Sequence, residues 1–316
     1  MKYSIITPVY NREDCLARCL DSVVKQLKWN VDFEHIVVDD GSVDASAAIV
    51  RRYADNYSHL KFVQLPENKG TNAARNAAIA IATGDFCLFL DSDDYFVDEA
   101  LKIIDDVVAT NTFKEYVFAA DDMMDEYAKN PLLNSQKTIL HFHDFLSGKI
   151  SSDFIHVVQT SILQKYPFSE DLKIFEFIFF LQFYRESQVI LFTNIIVTIR
   201  ERNRMDSVTK TVLRTTSSVI KRRLLAAITQ LRLFEADYET YNMLDNINNL
   251  RKEIIEDSLM LAQYDLARKE LQNFNTNFIK KRVLQIVCLL RMGWVCRLAL
   301  SFFLYLKYSV LHIKMQ

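Results

Sequence analysis

The sequence predicts an α/β fold: a mostly parallel sheet flanked by helices, followed by a helical C-terminal extension. Three observations predict it. Over the first 120 residues short apolar runs alternate with segments whose apolar residues recur at helical spacing. The strand-like runs are continuously apolar, as strands covered by helices on both faces are. Beyond about residue 211 the helical period stands alone.

The elements follow in order. YSIITPV (3–9) is a strand and REDCLARCLDSVVKQ (12–26) a helix; HIVVDD (35–40) is a strand and VDASAAIVRRYADNY (43–57) a helix. LKFVQLP (60–66) is the third strand, and TNAARNAAIAIATG (71–84) an alanine-rich helix closed by glycine. DFCLFLD (85–91) is the fourth strand, VDEALKIIDDVVA (97–109) a helix and YVFAADDM (116–123) the fifth strand. Residues 111–155 are otherwise irregular; DFIHVVQTSIL (153–163) and VILFTNIIVTI (189–199) read as strands flanking the helical FEFIFFLQFYRES (175–187). A first domain is expected over 1–208 and a helical region over 209–316, with a basic apolar tail from about 280.

Composition narrows the function classes. Of 316 residues half are apolar and a quarter charged, which is globular. The net charge of −2 argues against nucleic acid as a partner. That total hides an asymmetry: no acid follows Glu270, whereas Lys280, Lys281, Arg282, Arg291, Arg297, Lys307 and Lys314 do. Five cysteines without framework spacing fit a reduced, cytoplasmic protein, with Cys15 and Cys19 as small core thiols. The opening MKYSIITPVYN enters a strand directly and has no signal-peptide pattern.

In open parallel sheets ligands bind beyond the carboxyl ends of the strands. Those ends carry Thr7–Asn11, Asp39-Asp40-Gly41-Ser42, Pro66–Gly70 and Asp91-Ser92-Asp93-Asp94. A hard divalent cation is commonly held by one or two carboxylates plus a substrate's phosphates, and Asp91 with Asp93 is such a set. The competing reading makes Asp93 or Asp94 the cap of the helix near Val97. Arg75, a cation in a helix of small residues, faces either this rim or solvent. His141 and His143, an H-x-H pair beside Asp144, invite a metal reading but lack a third ligand at convincing spacing, and surface or acceptor-side histidines are preferred.

The segments ITPVYN, VVDDGSVD and ENKGTNAARNAAIAIATGDFCLFLDSDD resemble, in order and spacing, the family 2 glycosyltransferases, nucleotide-sugar-dependent enzymes of the GT-A fold. The likeness covers roughly residues 1–120 and continues more weakly to about 210. It implies a nucleoside-diphosphate sugar donor, most commonly a UDP-sugar, with Pro8, Tyr10 and Asp39 at the base and Asp40 and Ser42 nearby. Arg75 supports the nucleotide, Asp91 and Ser92 contact the donor, and Asp93 with Asp91 takes Mn2+ or Mg2+. The tail of IRERNRMDSVTK implies Arg200, Arg202 and Ser207 near the diphosphate. Transfer with inversion to a hydroxyl of a saccharide or lipid-linked acceptor follows, in surface polysaccharide or glycolipid synthesis.

One position departs from the family. The base is usually the aspartate of a Glu-Asp pair, which here reads Glu176-Phe177. Glu176 serves instead, or Glu170 or Asp171 does, or the protein is a catalytically weak donor-binding pseudoenzyme or partner subunit. The tail VLQIVCLLRMGWVCRLALSFFLYLKYSVLHI (283–313) has no run of the roughly 20 apolar residues a spanning helix needs. Its basic, acid-free, aromatic-rich composition fits a helix lying on the inner face of the cytoplasmic membrane, with a core helix or dimer contact as the competing reading. Oligomeric state is not legible.

Overall fold

β1 (Lys2–Val9) is buried from Tyr3 onward, and its continuous apolar run places it mid-sheet. The computed structural model describes residues 1–172, 175–201, 216–296 and 298. α1 (Leu16–Val24) tightens into a 3-10 turn through Lys28 and leads to β2 (Asp32–Asp39), α2 (Ser46–Asn56) and β3 (Leu60–Gln64). α3 (Thr71–Ile81), β4 (Phe86–Phe89), the short β5 (Tyr95–Phe96) and α4 (Ala100–Ala109) follow. Then come β6 (Glu115–Ala120), α5 (Met124–Lys129), β7 (Lys137–His141) and α6 (Phe142–Leu146). β8 (Ile155–Gln159), α7 (Thr160–Lys165), α8 (Phe177–Ser187) and β9 (Val189–Ile199) complete the set.

The sheet order is β3-β2-β1-β4-β8-β6-β9-β5, with β7 also pairing with β9. β3, β2, β1 and β4 are mutually parallel, so their carboxyl ends share one rim. The parallel arrangement stops there: β8 runs antiparallel between β4 and β6, and β9 pairs parallel with β6 but antiparallel with β5 and β7. Tyr3, Leu88, Ile104, Tyr116 and Val157 lie in the core on one face of the sheet, and Leu16, Leu20 and Val50 in the core beneath α1 and α2.

Several sequence expectations are corrected. The strand expected over 153–163 ends at Gln159, because the Thr160 amide donates to Asp85 O (3.0 Å) and its hydroxyl to Gly84 O (2.6 Å), turning the chain into α7. β5 and β7 arise where no strand was expected; both are short and are defined by partners on β9 distant in sequence. Neither Asp93 nor Asp94 caps α4: its N-cap is Glu99, without a side-chain cap.

The chain divides into compact units at residues 205/206. The second contains α9 (Ser217–Thr240), α10 (Leu244–Met260), α11 (Tyr264–Asn273) and α12 (Phe278–Leu289). α9, α10 and α12 are each followed by a residue at positive φ (Asn242, Ala262, Arg291). The next amide then closes back onto the helix, Met243 on Tyr238 O, Gln263 on Ser258 O and Met292 on Val287 O, satisfying carbonyls the helix leaves open. Ile255, Leu259, Leu271, Phe274, Leu284 and Cys288 form this unit's core. Among the described residues no helix is long and apolar enough to cross a membrane.

Candidate active site

Backbone ladders fix the rim. Val9 pairs with Asp39, the Asp40 amide donates to Val9 O (2.8 Å), the Leu65 amide to Asp39 O (2.8 Å) and the Leu90 amide to Ile6 O (3.0 Å). The residues after β1, β2, β3 and β4 are therefore neighbours. Pro8 is buried within β1, and Tyr10, just past it, is 41% exposed.

The two aspartates ending β2 have different tasks. Asp39 is buried, and its carboxylate accepts from the Ser42 amide (3.2 Å) and from Gln64 Nε2 (3.2 Å). Asp40 commits both oxygens to the next loop, accepting from the Lys69 amide (2.8 Å) and the Gly70 amide (2.6 Å). Asp40 thus braces the 67–70 loop against the end of β2. Ser42 Oγ accepts from the Asn11 amide (3.0 Å), joining the first rim segment to the second. Gly41 sits at φ +71°, and a Cβ there would approach the Glu67 carbonyl carbon to 2.7 Å, so this crossing requires glycine.

Arg75 faces the rim. Its Nη2 donates to Asp91 Oδ1 (3.0 Å), and its guanidinium lies over the rings of Phe89 (5.6 Å) and Phe168 (5.7 Å). Only 14% of the Arg75 side chain is exposed against 48% of Asp91, so the carboxylate keeps an open side. Asp94 is buried, and its Oδ1 accepts from the Glu201 amide (3.0 Å). Burial foremost, then the adjacent Asp91 charge, pushes the Asp94 carboxyl up to about 7; the Glu201 amide opposes this and Asp93 adds to it. Neighbouring like charges add to burial in disfavouring the charged form.

α1 braces that turn from behind. Cys15 Sγ reaches Ser92 O (3.7 Å), Cys19 Sγ reaches Asp91 O (3.7 Å) and Arg18 Nη2 donates to Asp93 O (3.0 Å). Residues three and four apart on one helix face therefore meet three successive carbonyls. Arg18 also pairs with Glu201 Oε2 (2.6 Å) and lies over the Tyr95 ring (4.5 Å).

Glu176 is the N-cap of α8 and half-buried; among the described residues its carboxylate has no hydrogen-bond partner. Phe177, beside it, is 49% exposed. Glu170 and Asp171 are exposed, and the Asp171 amide donates to Ser169 Oγ (3.3 Å). The segment leading to Glu176 is tied to α3: Asn72 Nδ2 donates to Ser169 O (2.8 Å), Asn76 Nδ2 to Phe168 O (2.8 Å), and the Phe168 amide to Asn76 Oδ1 (2.9 Å). Asn72, Asn76 and Arg18 were not singled out from sequence. The only signal was two asparagines four apart in a helix of alanines.

Arg200 is held by Asp122, Nε to Oδ1 at 2.7 Å, and its amide donates to Asp121 (2.9 Å). This binds the end of β9 to the acidic segment after β6. Arg202 and Ser207 lie outside the described residues. His141 and His143 stack on each other, and His143 approaches Asp144 at 3.5 Å. Among the described residues no group of three or more His, Cys, Asp or Glu could hold a metal ion by itself. Asp91 and Asp93 suit a Mg2+ or Mn2+ that takes its remaining ligands from a diphosphate and water. Beneath the rim, Glu115 and His156 form a buried pair (3.4 Å). Burial raises the carboxyl well above its usual range; burial and then Arg75 push the imidazole down to about 3.

The sequence profile of Glycosyl transferase family 2 matches residues 4–138, which span the whole rim. Over these residues the chain is similar to the family 2 glycosyl transferases. It is similar to the poly(ribitol-phosphate) beta-glucosyltransferase of Bacillus spizizenii, 47% identical over 102 residues, which make up 32% of this chain and 16% of that protein. It is also similar to the poly(ribitol-phosphate) beta-N-acetylglucosaminyltransferase TarS of Staphylococcus aureus, 45% identical over 103 residues, 32% of this chain and 18% of that protein. These matches span less than a fifth of each relative's length. Among solved structures, residues 1–349 of S. aureus TarS with UDP-GlcNAc superpose at a TM-score of 0.63 and 18% identity, covering 96% of this chain and 91% of that one. A mannosyltransferase of Pyrobaculum calidifontis with GDP-Man and Mn2+ superposes at 0.55 and 15% identity, covering 94% and 86%. The shared architecture is GT-A.

Proposed function

We propose that this protein is an inverting glycosyltransferase. It moves a sugar from a nucleoside-diphosphate donor, a UDP-sugar, to a hydroxyl of a saccharide or lipid-linked acceptor. It works in surface polysaccharide or glycolipid synthesis at the inner face of the cytoplasmic membrane. The observation that carries the reading is the Arg75–Asp91 pair, which sets a cation and an open carboxylate side by side on the rim at the carboxyl ends of the parallel strands. The named activities of the similar proteins and the UDP-GlcNAc held by the TarS structure support it.

Asp39, with Pro8, Tyr10 and Ser42, receives the nucleoside, and Arg75 neutralises diphosphate charge as the bond to the anomeric carbon breaks. Asp93 and Asp91 would hold Mn2+ or Mg2+, which when bound would supply Lewis-acid stabilisation of the departing diphosphate. Ser92 shapes the turn between them. Glu176 accepts the proton of the acceptor hydroxyl as it attacks from the opposite side; its half-buried carboxylate, without a hydrogen-bond partner among the described residues, suits that role. Asp171, exposed on the preceding loop, is the alternative base. Arg200, held by Asp122, and Arg202, outside the described residues, are the further donor contacts of this reading.

A donor-binding pseudoenzyme is the second reading, favoured by Phe177, an exposed benzyl group where the family's base stands. One experiment separates them: UDP release from a panel of UDP-sugars with Mn2+, with and without a lipid-linked acceptor, beside calorimetric UDP binding. Acceptor-dependent release that Glu176→Gln lowers at least about a hundredfold, with UDP binding retained, is expected for transfer. Metal-dependent UDP binding without release from any donor establishes the pseudoenzyme. Asp93→Ala should abolish the metal dependence of binding.

A further inference from the structure

α12 has two apolar faces, and the second unit's core uses one of them. Leu284 and Cys288 are buried against Ile255, Leu259 and Leu271. About half a turn away, Ile279 is 76% exposed, Val283 53%, Ile286 53% and Leu290 60%. These positions step by four, three and four, so they form one continuous outward stripe. Trp294, 60% exposed, follows in the next helical turn. A soluble helix normally turns polar residues to solvent, so a contiguous apolar stripe marks an interaction surface.

The charges say which kind. Arg282 is exposed beside Ile279 and Ile286. Lys280, Lys281 and Arg291 add to the count, and no acid occurs anywhere after Glu270. A stripe meant for a second copy of itself would bring like charges together, which costs free energy with nothing to offset it. A negatively charged sheet of lipid headgroups over acyl chains matches both the apolar stripe and the one-signed charge.

We propose that the outward face of α12, centred on Ile279, Val283, Ile286 and Leu290, seats the protein on an anionic lipid bilayer, with Arg282 against the headgroups. This deepens the membrane placement of the proposed function by naming the surface, and it does not depend on the sugar-transfer chemistry.

The test is co-sedimentation of the full chain with phosphatidylcholine vesicles, with and without phosphatidylglycerol. Size-exclusion light scattering and calorimetric UDP binding are run on the same samples. Binding is expected only with phosphatidylglycerol, weakening as salt rises. Ile279→Glu and Ile286→Glu, both exposed and harmless to the core, should each weaken it about tenfold or more. Arg282→Gln should weaken it about fivefold. Failure of the wild type to bind anionic vesicles, binding unchanged by either isoleucine substitution, or a dimer that Ile286→Glu dissociates would overturn the proposal. Absence of UDP binding in a wild type that does bind vesicles would count against the donor-site reading alone.

Discussion

Arg75 Nη2 lies 3.0 Å from Asp91 Oδ1, joining the helix after β3 to the acidic turn after β4. The guanidinium is pre-positioned over two phenylalanine rings, so little side-chain freedom remains to be lost when a diphosphate arrives. Arg75→Ala should weaken UDP binding about 10- to 100-fold by calorimetry. Arg75→Lys should recover only part, because a point charge cannot both stack and hold Asp91. Full recovery by lysine would show that charge alone matters here.

Asn76 is a positioning residue. Its amide closes two hydrogen bonds with the backbone of Phe168, eight residues before Glu176. Asn76→Ala leaves a backbone donor and acceptor unpaired, at about 2 kcal/mol of stability in a denaturant titration. The segment bearing the proposed base should also drift, lowering kcat for transfer more than the affinity for UDP. Equal loss in both would count against a role in aligning Glu176.

Arg18 supports the turn that carries Asp93. It donates to the Asp93 carbonyl and pairs with Glu201, while Glu201 donates its amide to Asp94. Arg18→Ala should weaken Mn2+-dependent UDP binding about tenfold, read by Mn2+ electron paramagnetic resonance. Its exposed ion pair contributes little to stability, so the melting temperature should hardly move. Unchanged Mn2+ affinity would remove Arg18 from the metal site's support.

Buried histidines give a pH dependence of defined sign. His35 is fully buried, bonds Thr7 Oγ1 (2.9 Å), and burial followed by His59 pushes it down to about 3. The unfolded chain takes up a proton below about 6.5 that the folded protein refuses, so this contribution is full above 6.5 and lost as pH falls toward 3. Asp94 and Glu115, raised by burial, run the opposite way, so the whole-protein curve mixes both signs. The difference between wild type and His35→Gln isolates one group. It should shift against the wild type by about 1.4 kcal/mol per pH unit between 6 and 4. A difference that does not vary with pH would mean His35 is charged in the folded state.

The legible part of this protein was its parallel half. Continuous apolar runs, helical spacing and glycine-bearing acidic strand ends sufficed to place β1 to β4 and the rim, because those elements depend on local patterning. β5 and β7, two and five residues long, escaped notice because partners on β9 define them. The run through Thr160 read as strand because apolar content alone cannot reveal a side chain that bends the backbone into a helix.

By itself the sequence determined the α/β class and the four strand-end motifs. Only the tertiary structure decided what each acid faces. Asp40 is spent on loop amides, Asp94 on Glu201, and Asp91 is shared with Arg75. Adjacent carboxylates are chemically identical in a string of letters. Their roles diverge because folding delivers donors tens of residues distant to one oxygen and leaves the next one open.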